Sequence, residues 1–295
     1  MTACPVCQGA AKKWIAGTTT GAEFFDSGDT YLIAKGEGED YLPVWKCLNC
    51  GHGFTPIDFE SDLIAEWYAR AQPDEHFLAG ENARRLTARR VLKRLEEILP
   101  DRGRILDVGA GPGLFLDEAR KRGWKTAGLE PAAWASAYAR DTLGLPRVRT
   151  GDTAALAEFP AGSFDVVTAF DVIEHVADPL KFARSLARVV KPGGCLVLTT
   201  PRLDSPLARF MGKRWYCIFP AHLHYFTRPS LTKTLRGAGF EIVDERSHVR
   251  YLGWKYWIQR ALVHLGLSSG EKPAAASVSI PINYGDEFEI YAQKR

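Results

Sequence analysis

The run Ile105-Leu106-Asp107-Val108-Gly109-Ala110-Gly111-Pro112-Gly113 constrains this chain more than any other segment. It reads as a buried strand that carries an acidic residue and passes directly into a glycine-rich turn. A helical pattern follows from Leu114 to Arg122. Strand, bare turn and helix in that order let a nucleoside-bearing cofactor press against backbone, because glycine has no side chain to hold it off. The nicotinamide and flavin fingerprint requires glycines at the first, third and sixth positions of the turn. Counting from Gly109, the third position is Gly111 but the sixth is Leu114, so that fingerprint fails.

The segments downstream keep a strand–helix alternation. Trp124 to Glu130 reads as a second strand ending in a carboxylate, and Arg149 to Thr153 closes a third. An acid about 20 residues past such a turn is placed to accept hydrogen bonds from ribose hydroxyls. Gly162 to Phe170 gives a fourth strand, a polar exit runs from Asp171 to Ala177, and Asp178-Pro179 is good helix-start chemistry. Lys191-Pro192-Gly193-Gly194 then precedes a fifth buried strand, Cys195 to Pro201. Phe240 to Glu245 and Glu287 to Ala292 read as strands six and seven.

In sequence and order these segments resemble the class I S-adenosylmethionine-dependent methyltransferases, whose first motif is apolar-apolar-Asp-Val-Gly-x-Gly-x-Gly. The likeness is to the ubiquinone-biosynthesis-like and sugar-modifying members, and it covers about 105 to 245 plus the last strand. It implies an α/β, Rossmann-like fold with a seven-stranded sheet in the order 3-2-1-4-5-7-6, the seventh strand antiparallel beside the fifth. It also implies S-adenosyl-L-methionine as donor, held by Asp107, Gly109, Gly111 and Gly113. Glu130 would take the ribose hydroxyls, Asp152 the adenine amine, and Phe170 and Asp171 would border the same site. A turn aspartate bonded to its own backbone is the plain alternative for Asp152.

Four of the six cysteines form two knuckles, Cys4-Pro5-Val6-Cys7 and Cys47-Leu48-Asn49-Cys50-Gly51. Two C-x-x-C pairs predict a tetrahedral thiolate site for structural zinc, closed to substrate because all four positions are filled. A zinc ribbon over about 1–58 follows, since so small a unit needs such a staple. Cys195 reads as an apolar filler and Cys217 as packing.

Residues 59–100 read as a helical lid and linker, with an amphipathic stretch from Phe59 to Ala71 and a helix from Asn82 to Leu99 stopped by Pro100. Tyr68, His76 and Phe77 are candidate pocket residues. The basic run Arg84-Arg85, Arg89-Arg90, Lys93-Arg94 reads as a solvated helix face, with phosphate contact as the sharper alternative. Residues 101–295 form the methyltransferase-like unit, with an aromatic helical insertion at about 248–285. Within it, Tyr251 to Val263 could pack on the sheet, roof an acceptor pocket or rest on a membrane surface.

Composition excludes several classes. A chain of 295 residues with 46% hydrophobic and 25% charged residues can bury a full core. Net charge of +3 is too mild to argue for nucleic acid. No apolar run is long enough to cross a bilayer and no secretory signal is visible, so a cytoplasmic location is expected.

A sulfonium donor already makes its methyl carbon electrophilic, so the acceptor must be aligned and, for a hydroxyl, deprotonated. Asp171, Glu174 and His175 follow strand four at spacing that shares one face if the turn is helical. His175 can act as base, and the three together could hold a divalent cation. Ubiquinone-type O-methyltransferases have a similar Glu-x-x-Glu-His arrangement, with Asp171 here at the first position. A second cluster, Phe219 to Ser230, carries His222 and His224; one is expected to face the pocket and the other to support the loop. The expectation is a methyltransferase acting on a hydroxyl of a small molecule or glycan. Two other readings are an rRNA base methyltransferase gripping RNA through the ribbon and a non-catalytic donor sensor. Against RNA, Phe170-Asp171-Val172-Ile173 lacks the Asn/Asp-Pro-Pro-Tyr/Phe signature of many exocyclic amino methylases.

Overall fold

The computed structural model describes residues 2–17, 42–56, 66, 68–70, 80–218, 221–253 and 278–295. Strands β1 (Ala11–Ile15), β2 (Val44–Cys47) and β3 (Gly53–Phe54) come first. Helix α1 (Glu81–Ile98) leads to β4 (Arg104–Val108), α2 (Leu114–Lys121), β5 (Lys125–Glu130), α3 (Ala133–Ala137) and β6 (Val148–Thr150). Then come β7 (Phe164–Phe170), α4 (Pro179–Val189), β8 (Val190–Pro201), α5 (Pro206–Met211), β9 (His224–Tyr225) and α6 (Arg228–Gly237). Strands β10 (Phe240–Ser247), β11 (Arg250–Gly253), β12 (Ser279–Ile282) and β13 (Glu287–Lys294) follow.

The central sheet runs β10-β13-β8-β7-β4-β5-β6, with β13 antiparallel to both neighbours and β4 to β8 parallel. This is the expected seven-stranded order read from its other edge. Period-two alternation divides the core: Ile105 faces α1 and α2 with Leu92, Leu95 and Leu116, whereas Leu106 faces α4 and α6 with Leu186 and Leu235. Parallel strands covered on both faces read as the continuous apolar runs seen in β4 and β7. Asp178 caps α4 by accepting from Leu180 N and Lys181 N, with Pro179 at the first helical position.

The basic run on α1 is neither a solvated face nor a phosphate grip. Arg85 pairs with Asp117 at 2.5 Å and Glu118 at 2.8 Å, and Arg89 with Glu118 at 2.6 Å. Arg90 reaches Glu289 at 2.9 Å and Arg94 reaches Asp244 at 2.8 Å. The helix is thereby stapled to α2, β13 and β10. Burial opposes the charge on Asp117 and Glu118, but hydrogen bonds from Lys121, Arg85, Arg120 and Arg89 outweigh it and hold both at about 2.

A second sheet runs β1-β2-β3-β9, all antiparallel. Its last strand comes from the segment before α6, so the cysteine-bearing strands and the larger unit share a sheet. Tyr251 to Gly253 form strand β11 against β12, not the start of a helix; the rest of the expected aromatic helix lies outside the described residues. So do most of Trp14 to Val44, most of Phe59 to Ala71, His76 and Phe77. Among the described residues, no helix is long and apolar enough to cross a membrane.

Candidate active site

Gly109, Gly111 and Gly113 all have positive φ, at 76°, 52° and 83°. The turn folds back onto β5, with Gly109 N and Ala110 N both donating to Leu129 O. At Gly109 the requirement is double: its φ favours glycine, and a Cβ there would lie 2.6 Å from Val172 Cγ2. The glycine turn and the segment leaving β7 therefore touch directly.

Glu130 ends β5 and accepts from Gly111 N at 2.7 Å and Ala132 N at 2.8 Å, tying the second strand to the turn. Burial raises its pKa against those two bonds. Asp107 is 2% exposed and accepts from Thr168 Oγ1 at 2.6 Å. Burial pushes it up to about 7, with Thr168 opposing and Glu130 adding to the rise. Asp152 accepts from Ala154 N at 2.9 Å and caps a short helical turn. Phe170 packs edge-on against Phe115 with ring centroids 4.8 Å apart.

The segment after β7 is a turn rather than a helix, so the expected shared face of Asp171, Glu174 and His175 does not form. Asp171 has φ of 54°, an uncommon conformation for a residue with a side chain. Its carboxylate accepts from Thr199 Oγ1 at 2.8 Å and pairs with Arg250 Nη2 at 2.6 Å. Burial works against that charge, but Arg250 chiefly holds Asp171 well below the ordinary carboxylate range.

The third partner of Glu174 and His175 is His222. Glu174 Oε1 lies 4.0 Å from His175 Nε2 and 3.9 Å from His222 Nε2. The two imidazole rings meet edge-to-face at 4.7 Å. His175 Nδ1 is 2.8 Å from Ala221 O, and His222 Nδ1 is 2.8 Å from Cys217 O. Carbonyl oxygens only accept, so both Nδ1 atoms carry the proton and both Nε2 lone pairs face the carboxyl; this tautomer is assigned from the bonds. Tyr68 Oη also reaches His175 Nδ1, at 2.7 Å.

Glu174 is fully buried; Thr200 Oγ1 donates to its Oε2 at 3.0 Å, and its Oε1 has no hydrogen-bond partner among the described residues. Burial, reinforced by Asp171, raises the Glu174 pKa well above the usual range. Burial lowers His175 to about 4 and His222 well below the ordinary imidazole value. In all three groups the shift favours the uncharged form. Their ligand atoms lie within 4.8 Å of one another, a set able to share a proton or hold a divalent cation.

His224 is turned to different partners. It bonds His52 Nε2 through Nδ1 at 3.2 Å and Ala177 O through Nε2 at 3.3 Å, stacked on His52. His52 is fully buried and was not singled out by the sequence; only its place two residues past the second knuckle hinted at it.

Cys4, Cys7, Cys47 and Cys50 gather their sulfurs within 4.8 Å of one another, and none is in a disulfide. Asn49 N and Cys50 N donate to Cys47 Sγ, as a knuckle turn requires. Cys4 is pulled down to about 5 by Cys50, while Cys50 is pushed up by Cys4 and Cys7 by burial. Sulfurs this close cannot all carry charge without a cation between them, so the donor set fits tetrahedral zinc.

A family model described as "Methyltransferase domain" matches residues 79–245, more than half of the chain. The chain belongs to the class I S-adenosylmethionine-dependent methyltransferases. Curated relatives of this methyltransferase include ubiquinone biosynthesis O-methyltransferases. That of Xanthomonas axonopodis pv. citri is 33% identical over 53% of this chain and 70% of its own length. That of Sodalis glossinidius is 36% identical over 32% of this chain and 40% of its own length. The methyltransferase spans between 40% and 65% of the length of the first such relatives. Among solved structures, a methyltransferase in complex with the Haloferax volcanii Trm112 activator superposes with a TM-score of 0.53 at 16% identity. That match covers 80% of this chain and 99% of the other. An Archaeoglobus fulgidus SAM-dependent methyltransferase gives 0.50 at 18% identity, covering 75% and 100%. At such identities these two likenesses speak for the fold alone. S-adenosylmethionine is the co-substrate of this family.

Proposed function

We propose that this methyltransferase moves the donor's methyl group to a hydroxyl oxygen of a small-molecule or glycan acceptor, with an imidazole of the His175–His222 pair as base. The observation that carries the reading is the convergence of two Nε2 lone pairs and the orphaned Glu174 Oε1, beside a segment that touches the glycine turn. In the reaction the acceptor oxygen attacks the methyl carbon as the C–S bond breaks. S-adenosylhomocysteine leaves neutral at sulfur, and the hydroxyl proton passes to Nε2. Alignment supplies most of the acceleration and the base about 10²–10⁴-fold. The donor would lie over Gly109 to Gly113, with Glu130 at the ribose, Asp152 at the adenine and Asp107 near the donor's positive charge. The printed names of the relatives favour oxygen as the accepting atom. The four thiols would hold a structural zinc, which would fix the knuckles without entering the chemistry.

Radiolabelled donor, offered with 3,4-dihydroxybenzoate and separately with cell extract, tests this. Label should enter an alkali-stable methyl ether or the small-molecule or glycan fraction, and His175→Gln should abolish it while leaving donor affinity intact. Label confined to RNA would overturn the reading.

A further inference from the structure

We propose that the cysteine knuckles position the reacting groups: the four-thiol site, acting through His52 and Gly53, holds His222 against Glu174. The proposal rests on the reading of Glu174, His175 and His222 as the acceptor-side groups, but its experiment needs no turnover.

The strap between the two sites is short. Strand β3 pairs with β9 through Gly53↔Tyr225 and Phe54↔His224, and Thr55 N adds a bond to Leu223 O at 2.9 Å. On the opposite side of the same segment, Leu223 N and His224 N both donate to the Glu174 carbonyl, at 2.8 and 3.0 Å. The residues that follow His222 are thus clamped between the ribbon's edge and the backbone of Glu174. Side chains repeat the connection. Thr227 Oγ1 donates to the carbonyl of Cys50, itself a thiol of the cluster, at 2.7 Å. His52 fills the space behind, bonded to Ser230 Oγ at 3.3 Å and to His224 at 3.2 Å. Tyr225, 2% exposed, lies with its Cβ 3.0 Å from where a Gly53 side chain would begin, and its ring meets the His222 ring edge-on at 6.1 Å. A methyl at position 53 would crowd both Tyr225 and Leu203.

Strands of only two residues, as β3 and β9 are, cannot hold a register by ladder bonds alone. The knuckle turn at Cys47 to Gly51 fixes where β3 begins, and that turn is shaped by amide bonds to Cys47 Sγ. Metal binding that orders the four sulfurs therefore orders β3, then β9, then His222. Phe219 and Pro220, on the other flank of His222, lie outside the described residues.

The test is imidazole NMR on the full-length, ¹⁵N-histidine-labelled protein, with His222 signals assigned by their loss in His222→Gln. Wild type should show a single Nδ1–H tautomer at His222. Zinc extraction from wild type with a chelator, and separately His52→Phe, should each turn that signal into a mixed, exchanging one. Donor affinity should stay within about twofold, since Gly109 to Gly113 form the turn that leaves β4 of the central sheet, and His52→Phe should retain its zinc. An unchanged His222 tautomer after zinc extraction would overturn the proposal. So would parallel loss of donor binding, which would mark general unfolding. If His52→Phe does not fold, the extraction arm decides alone. Wild-type tautomer behaviour as expected, with no methyl transfer to any hydroxyl, would reject the O-methylation reading and leave this one standing.

Discussion

Arg250 Nη2 sits 2.6 Å from Asp171 Oδ2, joining the exit of β7 to a strand 79 residues away. Arg250 also donates through Nε to Glu287 at 2.8 Å, so a single guanidinium bridges two carboxylates. This bridge holds Asp171 apart from the Glu174–His175–His222 cluster and makes it an anchor for the residues that follow. Because Asp171 holds a positive φ, something must keep it there, and Arg250 and Thr199 do so.

Arg250→Ala should therefore lower kcat about ten- to a hundredfold by releasing Val172 to His175, with donor affinity little changed. Arg250→Lys should recover only a small part, because an ammonium cannot reproduce the fork. Steady-state kinetics with 3,4-dihydroxybenzoate would show this; an Arg250→Ala enzyme at full kcat would remove the anchor role.

With the donor placed as proposed, Asp107 would set stability against donor binding. Its folded pKa of about 7 lies above the unfolded value of 3.8, so between those pH values the folded state holds a proton that the unfolded chain has lost. Its contribution is complete below pH 3.8 and is lost as pH rises through 7, a cost on the order of a few kcal/mol. Asp107→Asn should thus raise the urea midpoint of the donor-free protein at pH 8. The donor's sulfonium and ammonium favour the ionised acid, so wild-type affinity should strengthen from pH 6 to 8. The Asn variant should bind more weakly with a flat profile. Calorimetry in two buffers would reveal the linked proton; a pH-independent wild type would refute the assignment.

His175 gives a separate pH signature. Burial lowers it to about 4, so the neutral base persists far below the ordinary imidazole range. At saturating donor, kcat should stay level from pH 7 down toward pH 5 and fall only nearer 4. An acid limb centred at 6.5 or higher would show that the buried imidazole does not take the proton.

Glu118 is the stability test. It is 4% exposed and receives Arg85, Arg89 and Lys121. Glu118→Ala leaves charges without their partner and should cost about 3 kcal/mol. Lys93→Ala, on the exposed side of the same helix, should change stability by less than about 0.5 kcal/mol. Urea titration of both variants separates stapling from a merely solvated basic face, which would make the two losses equal.

The glycine turn and its tie to Glu130 were legible because their signals are contiguous: Asp107 to Gly113 lie in one run, and Glu130 follows at a fixed interval. Strand order followed from the family likeness. The cluster that follows β7 was only half legible. Both histidine-bearing segments stood out, but helical spacing placed Asp171 with Glu174 and His175, and the turn that forms instead brings in His222. No local pattern could show that Arg250 claims Asp171. The run on α1 misled for the same reason, since its partners at Asp117, Glu118, Asp244 and Glu289 are distant in sequence. His52 could have been noticed as a polar residue in the otherwise tight Cys50-Gly51-His52-Gly53-Phe54 stretch, though its partner His224 could not.

The four cysteines are consequently not a cassette that can be traded between relatives or trimmed away. A chain shortened past Phe54 would bare the edge of His224–Tyr225 and the flank of Phe226, inviting edge-to-edge aggregation. A grafted replacement would have to bring a bare position opposite Tyr225 as well as its four thiols.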